Sequence, residues 1–321
     1  MKVLITGGAG FIGSHLGEAL LKTGNQVTAL DNLSTGRYEN VAHLKENPNF
    51  NLVVGSILDE QLVDKLCEKT DVIYHLAAAV GVDLIVKHPL ESLTTNIRGS
   101  EIVLDMARRY NRKVLITSTS EIYGKNVNGP LKEDDDRILG SPLKSRWGYS
   151  TAKAVDEMLA YGYWREKGLP TIIVRLFNTV GPRQTGAYGM VIPRFVNQAL
   201  KNESITVYGD GMQSRCFLHV RDTVGALIKL MEQPKAPGQV FNVGSQEEIT
   251  IKDLAGKIIA LTRSTSKIVY IPYDQAYEEG FEDMQRRVPD ITRIQNLIGY
   301  KPTFNLEGIL KSVIEYFKGK G

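Results

Sequence analysis

The feature that most constrains this chain is a cluster of glycines near its start. Met1-Lys2-Val3-Leu4-Ile5-Thr6 is a short apolar run, and Gly7-Gly8-Ala9-Gly10-Phe11-Ile12-Gly13 follows at once. Apolar residues then recur at helical spacing, at Ile12, Leu16 and Leu20. Gly8, Gly10 and Gly13 satisfy G-x-G-x-x-G, and Gly7, Gly10 and Gly13 satisfy the looser G-x-x-G-x-x-G. Glycine has a physical task in such a strand–turn–helix. The turn requires unusual dihedrals, and a side chain would hold the backbone away from a pyrophosphate. Phe11 and Ile12 open the helix, whose free amides face the anion.

A second short apolar run, Gln26 to Leu30, leads into Asp31-Asn32. An acid at that distance from the glycines accepts a ribose 2′-hydroxyl and repels a 2′-phosphate, which favours NAD over NADP. Further strand candidates are Leu52–Val54, Val72–His75, Val114–Thr117 and Thr171–Arg175. Helical stretches at about 61–67, 90–110 and 149–167 lie between them. This alternation predicts a Rossmann-type doubly wound parallel sheet. After Gly181-Pro182 the pattern loosens into a mixed α/β lobe. The expected division is a NAD-binding domain over 1–180, carrying the catalytic residues, and a smaller substrate lobe over 181–321.

Composition narrows the function classes. The 39 basic and 36 acidic residues leave a net charge of +3, too small and too scattered for nucleic acid or a membrane surface. The N-terminal apolar run is too short for a signal peptide, and no window reaches the length of a membrane helix. The most apolar window, Val72 to Val86, is broken by His75 and Asp83. Two distant cysteines, Cys67 and Cys216, point to a reducing cytoplasm rather than a disulfide framework. The five histidines show no metal-ligand spacing, so no metal is expected. His75 reads as a packed or hydrogen-bonded residue. The run Glu133-Asp134-Asp135-Asp136 reads as a solvated loop.

Tyr149 and Lys153 are four apart on one predicted helix, so their side chains share a face. A phenol is a poor base at neutral pH, but a neighbouring ammonium, together with the positive nicotinamide ring, would lower its pKa. Tyr149 could then take a proton from a sugar hydroxyl while the carbon's hydride passes to NAD.

Taken together, these motifs resemble the extended short-chain dehydrogenase/reductase family, the NAD-dependent nucleotide-sugar epimerases, dehydratases and decarboxylases. The likeness runs through His75-Leu76-Ala77-Ala78, Asn96, Ser118 to Gly124, Tyr149/Lys153, Arg175 to Asn178, Gly181-Pro182-Arg183, Val207 to Gly211 with Arg215, and Arg286 to Asp290. The resemblance implies cofactor contacts at Ala77 and Asn96, and a hydrogen bond from Thr119 to the sugar 4-hydroxyl beside Tyr149. Lys153 would hold the nicotinamide ribose. Asn178 would meet the nucleotide diphosphate, Tyr208 the uracil, Arg215 and Arg287 the diphosphate, and Asp290 the uridine ribose. It also implies a homodimer formed by the helices near 90–110 and 149–167.

The family opens by oxidising sugar carbon 4 and then diverges. Glu121 resembles the glutamate of dehydratases and uronate decarboxylases, whereas hexose 4-epimerases carry a small residue or threonine there. Dehydratases usually have Asp-Glu where this chain has Ser120-Glu121. The Arg146–Lys153 segment departs from the Cys-Tyr-Asp-Glu-Gly-Lys of xylose-forming decarboxylases and looks more like an epimerase. The expected function is a UDP-glucuronate decarboxylase-like enzyme with Glu121 assisting. A UDP-sugar 4-epimerase and a nucleotide-sugar dehydratase are alternatives. A non-catalytic NAD sensor is disfavoured by the retention of Thr119, Tyr149 and Lys153 together.

Overall fold

The computed structural model describes residues 1–79, 88–144, 146–186, 190–276 and 284–319. Val80 to Val86 of the apolar window lie outside them. The first half alternates as expected: β1 (Lys2–Thr6), α1 (Phe11–Lys22), β2 (Gln26–Asp31), β3 (Phe50–Val54), α2 (Glu60–Glu68), β4 (Val72–His75), α3 (Pro89–Arg109), β5 (Lys113–Thr119), α4 (Arg146–Lys167) and β6 (Thr171–Leu176). Short strands follow: β7 (Thr179–Val180), β8 (Ile205–Tyr208), β9 (Ser214–Cys216), β10 (Leu218–His219), β11 (Val240–Val243), β12 (Glu248–Thr250), β13 (Ile268–Ile271) and β14 (Arg286–Arg287).

Seven strands form one parallel sheet in the order β11-β6-β5-β4-β1-β2-β3. Both of its faces are covered. Val3 and Ile5 of β1 pack with Leu16, Leu20, Val224 and Leu227 on one side. Leu4, between them, packs with Ile102, Val103 and Ala107 on the other. The two-residue alternation of a strand, with helices on each face, explains why β1 is apolar throughout. The chain runs outward from β1 to β2 and β3, then returns to place β4 on the opposite side of β1. The crevice beyond the carboxyl ends of β1 and β4 is thus the topological switch point, where this architecture binds ligands.

The division at residue 180 does not coincide with the edge of the sheet. β11 pairs with β6, with Val240 beside Ile173, and the helix Val220–Glu232 packs against the sheet's α1 side. Apolar periodicity shows that Val240–Val243 is extended, but a four-residue run carries no information about which sheet it joins. The remaining lobe has its own core. Phe195 and Val196, Leu254 and Ile258, and Ile309, Leu310 and Val313 meet there from the helices Val191–Leu200, Ile251–Thr262 and Leu306–Lys318.

A buried polar network pins α4 to this frame. Arg175 of β6 donates from Nε and Nη2 to both oxygens of Glu157, at 2.9 and 2.8 Å. Its Nη1 donates to Tyr123 Oη and to the Glu133 carbonyl. Tyr123 Oη in turn donates to Asn242 Oδ1 at 2.7 Å, and Asn242 N donates to Glu133 Oε1. Glu133 is therefore buried inside the network rather than part of a solvated acidic run. Both cysteines are free and buried, and no helix among the described residues is long and apolar enough to cross a membrane.

Breaking one side of a buried bidentate pair strands a charge. Arg175→Leu should lower stability by about 3–5 kcal/mol, and the double variant with Glu157→Leu should recover most of that loss. Urea unfolding measures both; an additive double variant would contradict the pairing.

Candidate active site

A cleft of about 800 Å³ opens at the switch point and runs from the glycine turn to β9 and β14. At its inner end the glycines are fixed by contact. Gly7 has φ +72°, and a Cβ there would lie 2.8 Å from Ala77 N. A Cβ on Gly13 would lie 2.2 Å from Gly7 O and 2.8 Å from Gly8 Cα. The turn therefore folds onto the first turn of α1 only if both positions lack side chains. This leaves a backbone-lined cradle against a helix N-terminus, suited to a pyrophosphate.

Asp31 lies at the carboxyl end of β2, at the cleft wall. Its Oδ2 accepts from Ala9 N at 2.9 Å and its Oδ1 from Leu33 N at 2.8 Å. Burial raises its pKa, and these amides pull the other way. Each carboxylate oxygen retains acceptor capacity for a ribose hydroxyl. Asn32, Phe11, Ile12, Gly10 and Ala77 line the same end of the cleft. Asn96 does not. Its amide sits behind the wall, accepting from Ala79 N at 2.8 Å and donating to Ala79 O at 3.2 Å, and so clamps the segment after β4. The cradle and the acid fit an adenine dinucleotide.

Thr119, Glu121 and Tyr149 meet in the middle of the cleft. The 3₁₀ turn Ser120–Tyr123 carries Glu121, whose backbone is held from two sides. Its amide donates to Thr119 Oγ1, and its carbonyl accepts from Ser150 Oγ at 2.9 Å. The second bond ties the turn to α4 beside Tyr149. Because Thr119 Oγ1 accepts the Glu121 amide, its own hydrogen is left to donate into the cleft.

Lys153 does not reach the cleft wall. It is buried below Tyr149, with Nζ 2.7 Å from Asp156 Oδ2. Burial pushes the phenol well above its ordinary range, and the charges of Glu121 and Asp156 add to the rise. Burial is the largest of these causes, and the Tyr–Lys spacing reveals neither it nor the carboxylate of Asp156. His75 is packed and hydrogen-bonded, between Thr6 Oγ1 and Ser100 Oγ. Burial and then the Lys153 charge hold it down to about 3, so it is neutral.

The outer end is built by the lobe. β9 and β14 pair in parallel with Arg215 beside Arg287, and both arginines are largely buried. Arg287 Nη1 donates to Ser120 Oγ at 3.2 Å and lies 3.7 Å from Glu121 Oε1. Asn178 lines the cleft while its Nδ2 donates to Cys216 O. Tyr208 lines it with the Arg194 guanidinium 4.3 Å from its ring centroid. Gln213 donates to Tyr208 O and Tyr273 Oη. Asp290 does not line the cleft; its Oδ1 accepts from Thr292 N ahead of the helix Thr292–Ile298. Sequence reasoning missed Ser120 as a partner of Arg287, and it missed Arg194, Gln213 and Asp156. Ser120 stood inside a recognised motif. Asp156 stood three residues after Lys153, a spacing that places it on the same face. Among the described residues no group of three or more His, Cys, Asp and Glu could hold a metal.

Comparison with known proteins agrees with this geometry. The chain matches the sequence profile of the family described as GDP-mannose 4,6-dehydratase over residues 4–313. It is 42% identical over 318 residues to the UDP-N-acetyl-alpha-D-glucosaminuronate decarboxylase of Bacillus cytotoxicus, covering 99% of this chain and 98% of that one. It is 38% identical to UDP-glucuronic acid decarboxylase 1 of Danio rerio, covering 98% of this chain and 72% of that one. The crystal structure of UDP-glucuronic acid 4-epimerase from Bacillus cereus, in complex with UDP-glucuronic acid and NAD, superposes with a TM-score of 0.90. That match is at 29% identity and covers 100% of both chains.

Gly13→Ala should keep its circular dichroism spectrum but bind NAD at least about tenfold more weakly in calorimetric titration, because the added Cβ displaces the cradle. Unchanged affinity would mean that the turn does not bind the pyrophosphate.

Proposed function

The chain belongs to the GDP-mannose 4,6-dehydratase family, and we propose that within it this enzyme decarboxylates a UDP-linked hexuronate. The observation that carries this reading is the position of Glu121. It lines the cleft beside Thr119 and Tyr149, with Arg287 3.7 Å from its Oε1. A carboxylate there can move a proton at the keto-sugar, which simple epimerisation does not need. The relatives named for uronate decarboxylation support the same choice.

NAD, when bound, supplies the two-electron oxidation by accepting hydride from sugar carbon 4. The cradle at Gly7, Gly10 and Gly13 and the acid at Asp31 are its binding groups, with Phe11, Ile12, Asn32 and Ala77 around it. Asn96 shapes that wall from behind. Tyr149 takes the proton of the 4-hydroxyl, and Thr119 hydrogen-bonds the same oxygen. A ketone at carbon 4 makes the uronate a β-keto acid. The bond from carbon 5 to carbon 6 then breaks with its electrons drawn toward the carbon 4 oxygen, where Thr119 and Tyr149 donate hydrogen bonds. Glu121 serves the proton that returns to carbon 5. Arg215, Arg287 and Asn178 hold the diphosphate, and Tyr208 stacks on the base. We further propose a homodimer through α3 and α4, the latter leaving Met158 and Tyr161 exposed. A cytoplasmic setting suits the two free, buried thiols.

Incubation with NAD and either UDP-N-acetylglucosaminuronate or UDP-glucuronate, followed by NMR, tests the reading. Carbon dioxide with a UDP-linked pentose or its 4-keto form is expected, and the faster substrate identifies the group on carbon 2. A uronate epimerised without gas would make the enzyme a 4-epimerase, and silence with both would redirect attention to neutral UDP-hexoses. Arg287→Met should lower kcat/KM for the uronate by about a hundredfold, or about 2.7 kcal/mol. Glu121→Gln should abolish gas release while uronate binding persists.

A further inference from the structure

Resting on the reading of Tyr149 and Lys153 as the catalytic pair, we propose that Asp156 is their positioning residue. Its carboxylate holds the Lys153 ammonium in place, and its negative charge limits how far Lys153 can activate Tyr149.

Tyr149, Lys153 and Asp156 are spaced four and then three residues apart on α4, so they form one stripe. The ion pair is enclosed. Lys153 and Asp156 side chains are 2% and 1% exposed, with Nζ 2.7 Å from Oδ2. The second oxygen, Oδ1, is buried with no hydrogen-bond partner. Enclosing two charges and leaving a carboxylate oxygen bare is a poor route to stability. An apolar pair of similar volume would serve the fold as well. What the arrangement does provide is control of charge. An ammonium facing the phenol alone would draw it strongly toward phenolate, whereas an ammonium neutralised by a carboxylate draws it weakly. The enclosure makes each charge count for more than it would in water.

Glu121, on the turn above Tyr149, disfavours the phenolate, and Arg287 Nη1 lies 3.7 Å from Glu121 Oε1. His75 approaches Lys153 from β4 and is neutral. Below, the next acid on α4, Glu157, is taken by Arg175 through both oxygens and is not available to Lys153. Asp156 is thus the acid that sets the charge balance of the Tyr149–Lys153 pair from the helix itself. One ammonium proton is committed to it, which also fixes the direction in which the other two point.

The test is Asp156→Asn, which keeps the shape and removes the charge. With ¹³Cζ-labelled tyrosine, the Tyr149 resonance is assigned by its loss in Tyr149→Phe and followed from neutral to about pH 11. In Asp156→Asn it should begin to ionise at least about one pH unit lower than in the parent protein. The acid limb of the kcat profile should move the same way, and Asp156→Glu should restore both. Identical Tyr149 behaviour in the two proteins, whether both ionise together or neither ionises, would overturn the proposal. Should Asp156→Asn fail to fold by circular dichroism, the smaller Asp156→Ser is titrated in its place and judged by the same comparison. The NMR measurement needs no substrate. It therefore stands if uronates are not turned over, and a null NMR result leaves the uronate assay untouched.

Discussion

The buried fork between Arg175 and Glu157 is the contact on which the arrangement of the site depends. Its two hydrogen bonds fix the rotation of α4 against β6, and that rotation aims Tyr149 at the cleft and Lys153 beneath it. The same guanidinium reaches Tyr123, just beyond Glu121, and through Tyr123 it reaches Asn242 on the sheet's edge strand. Asn242 Nδ2 donates to the Leu131 carbonyl, and Leu131 N donates to Val288 O, next to Arg287. One connected network therefore holds the tyrosine helix, the glutamate turn and the arginine of the lobe. Such a network is costly to desolvate. Its value lies in allowing a single arrangement, since any slip would strand a buried donor or acceptor.

Three parts built by different physics share the cleft. The cofactor end is made of backbone, because only backbone approaches a pyrophosphate closely enough. The reacting centre is made of side chains on a turn and a helix that hold each other through Ser150 and the Glu121 carbonyl. The nucleotide end is made of two short strands whose register sets Arg215 beside Arg287. Charge is sorted along this line, from the acid at Asp31, through the Lys153–Asp156 pair and Glu121, to the guanidinium forks. That gradient suits a substrate carrying a diphosphate.

Much of this was legible in the residues. The glycine turn and the acid ending β2 are local patterns, because a tight turn and a strand end are decided by a few neighbouring residues. The strands at Val72–His75, Val114–Thr117 and Thr171–Arg175 also follow from short apolar runs. The partners of those runs do not. β11 joins the main sheet although it lies well past the loosening of the pattern at Gly181-Pro182. Glu133 belongs to a run of four acids and is nevertheless buried, because Asn242, more than a hundred residues away, supplies the amide it needs.

By itself the sequence determined the fold class, the glycine turn between β1 and α1, and the motifs holding Thr119, Glu121 and Tyr149, which the structure brings to one cleft. Each rests on spacing within one element or on a motif confined to one turn, where chain connectivity does the positioning. Only the tertiary structure decided which charges face one another. It set Arg287 beside Ser120 and Glu121, withdrew Asn96 and Asp290 from the cleft wall, and paired Lys153 with Asp156. Electrostatic interactions act through space and depend on burial. They are therefore settled by packing between distant segments, which no local pattern of residues encodes.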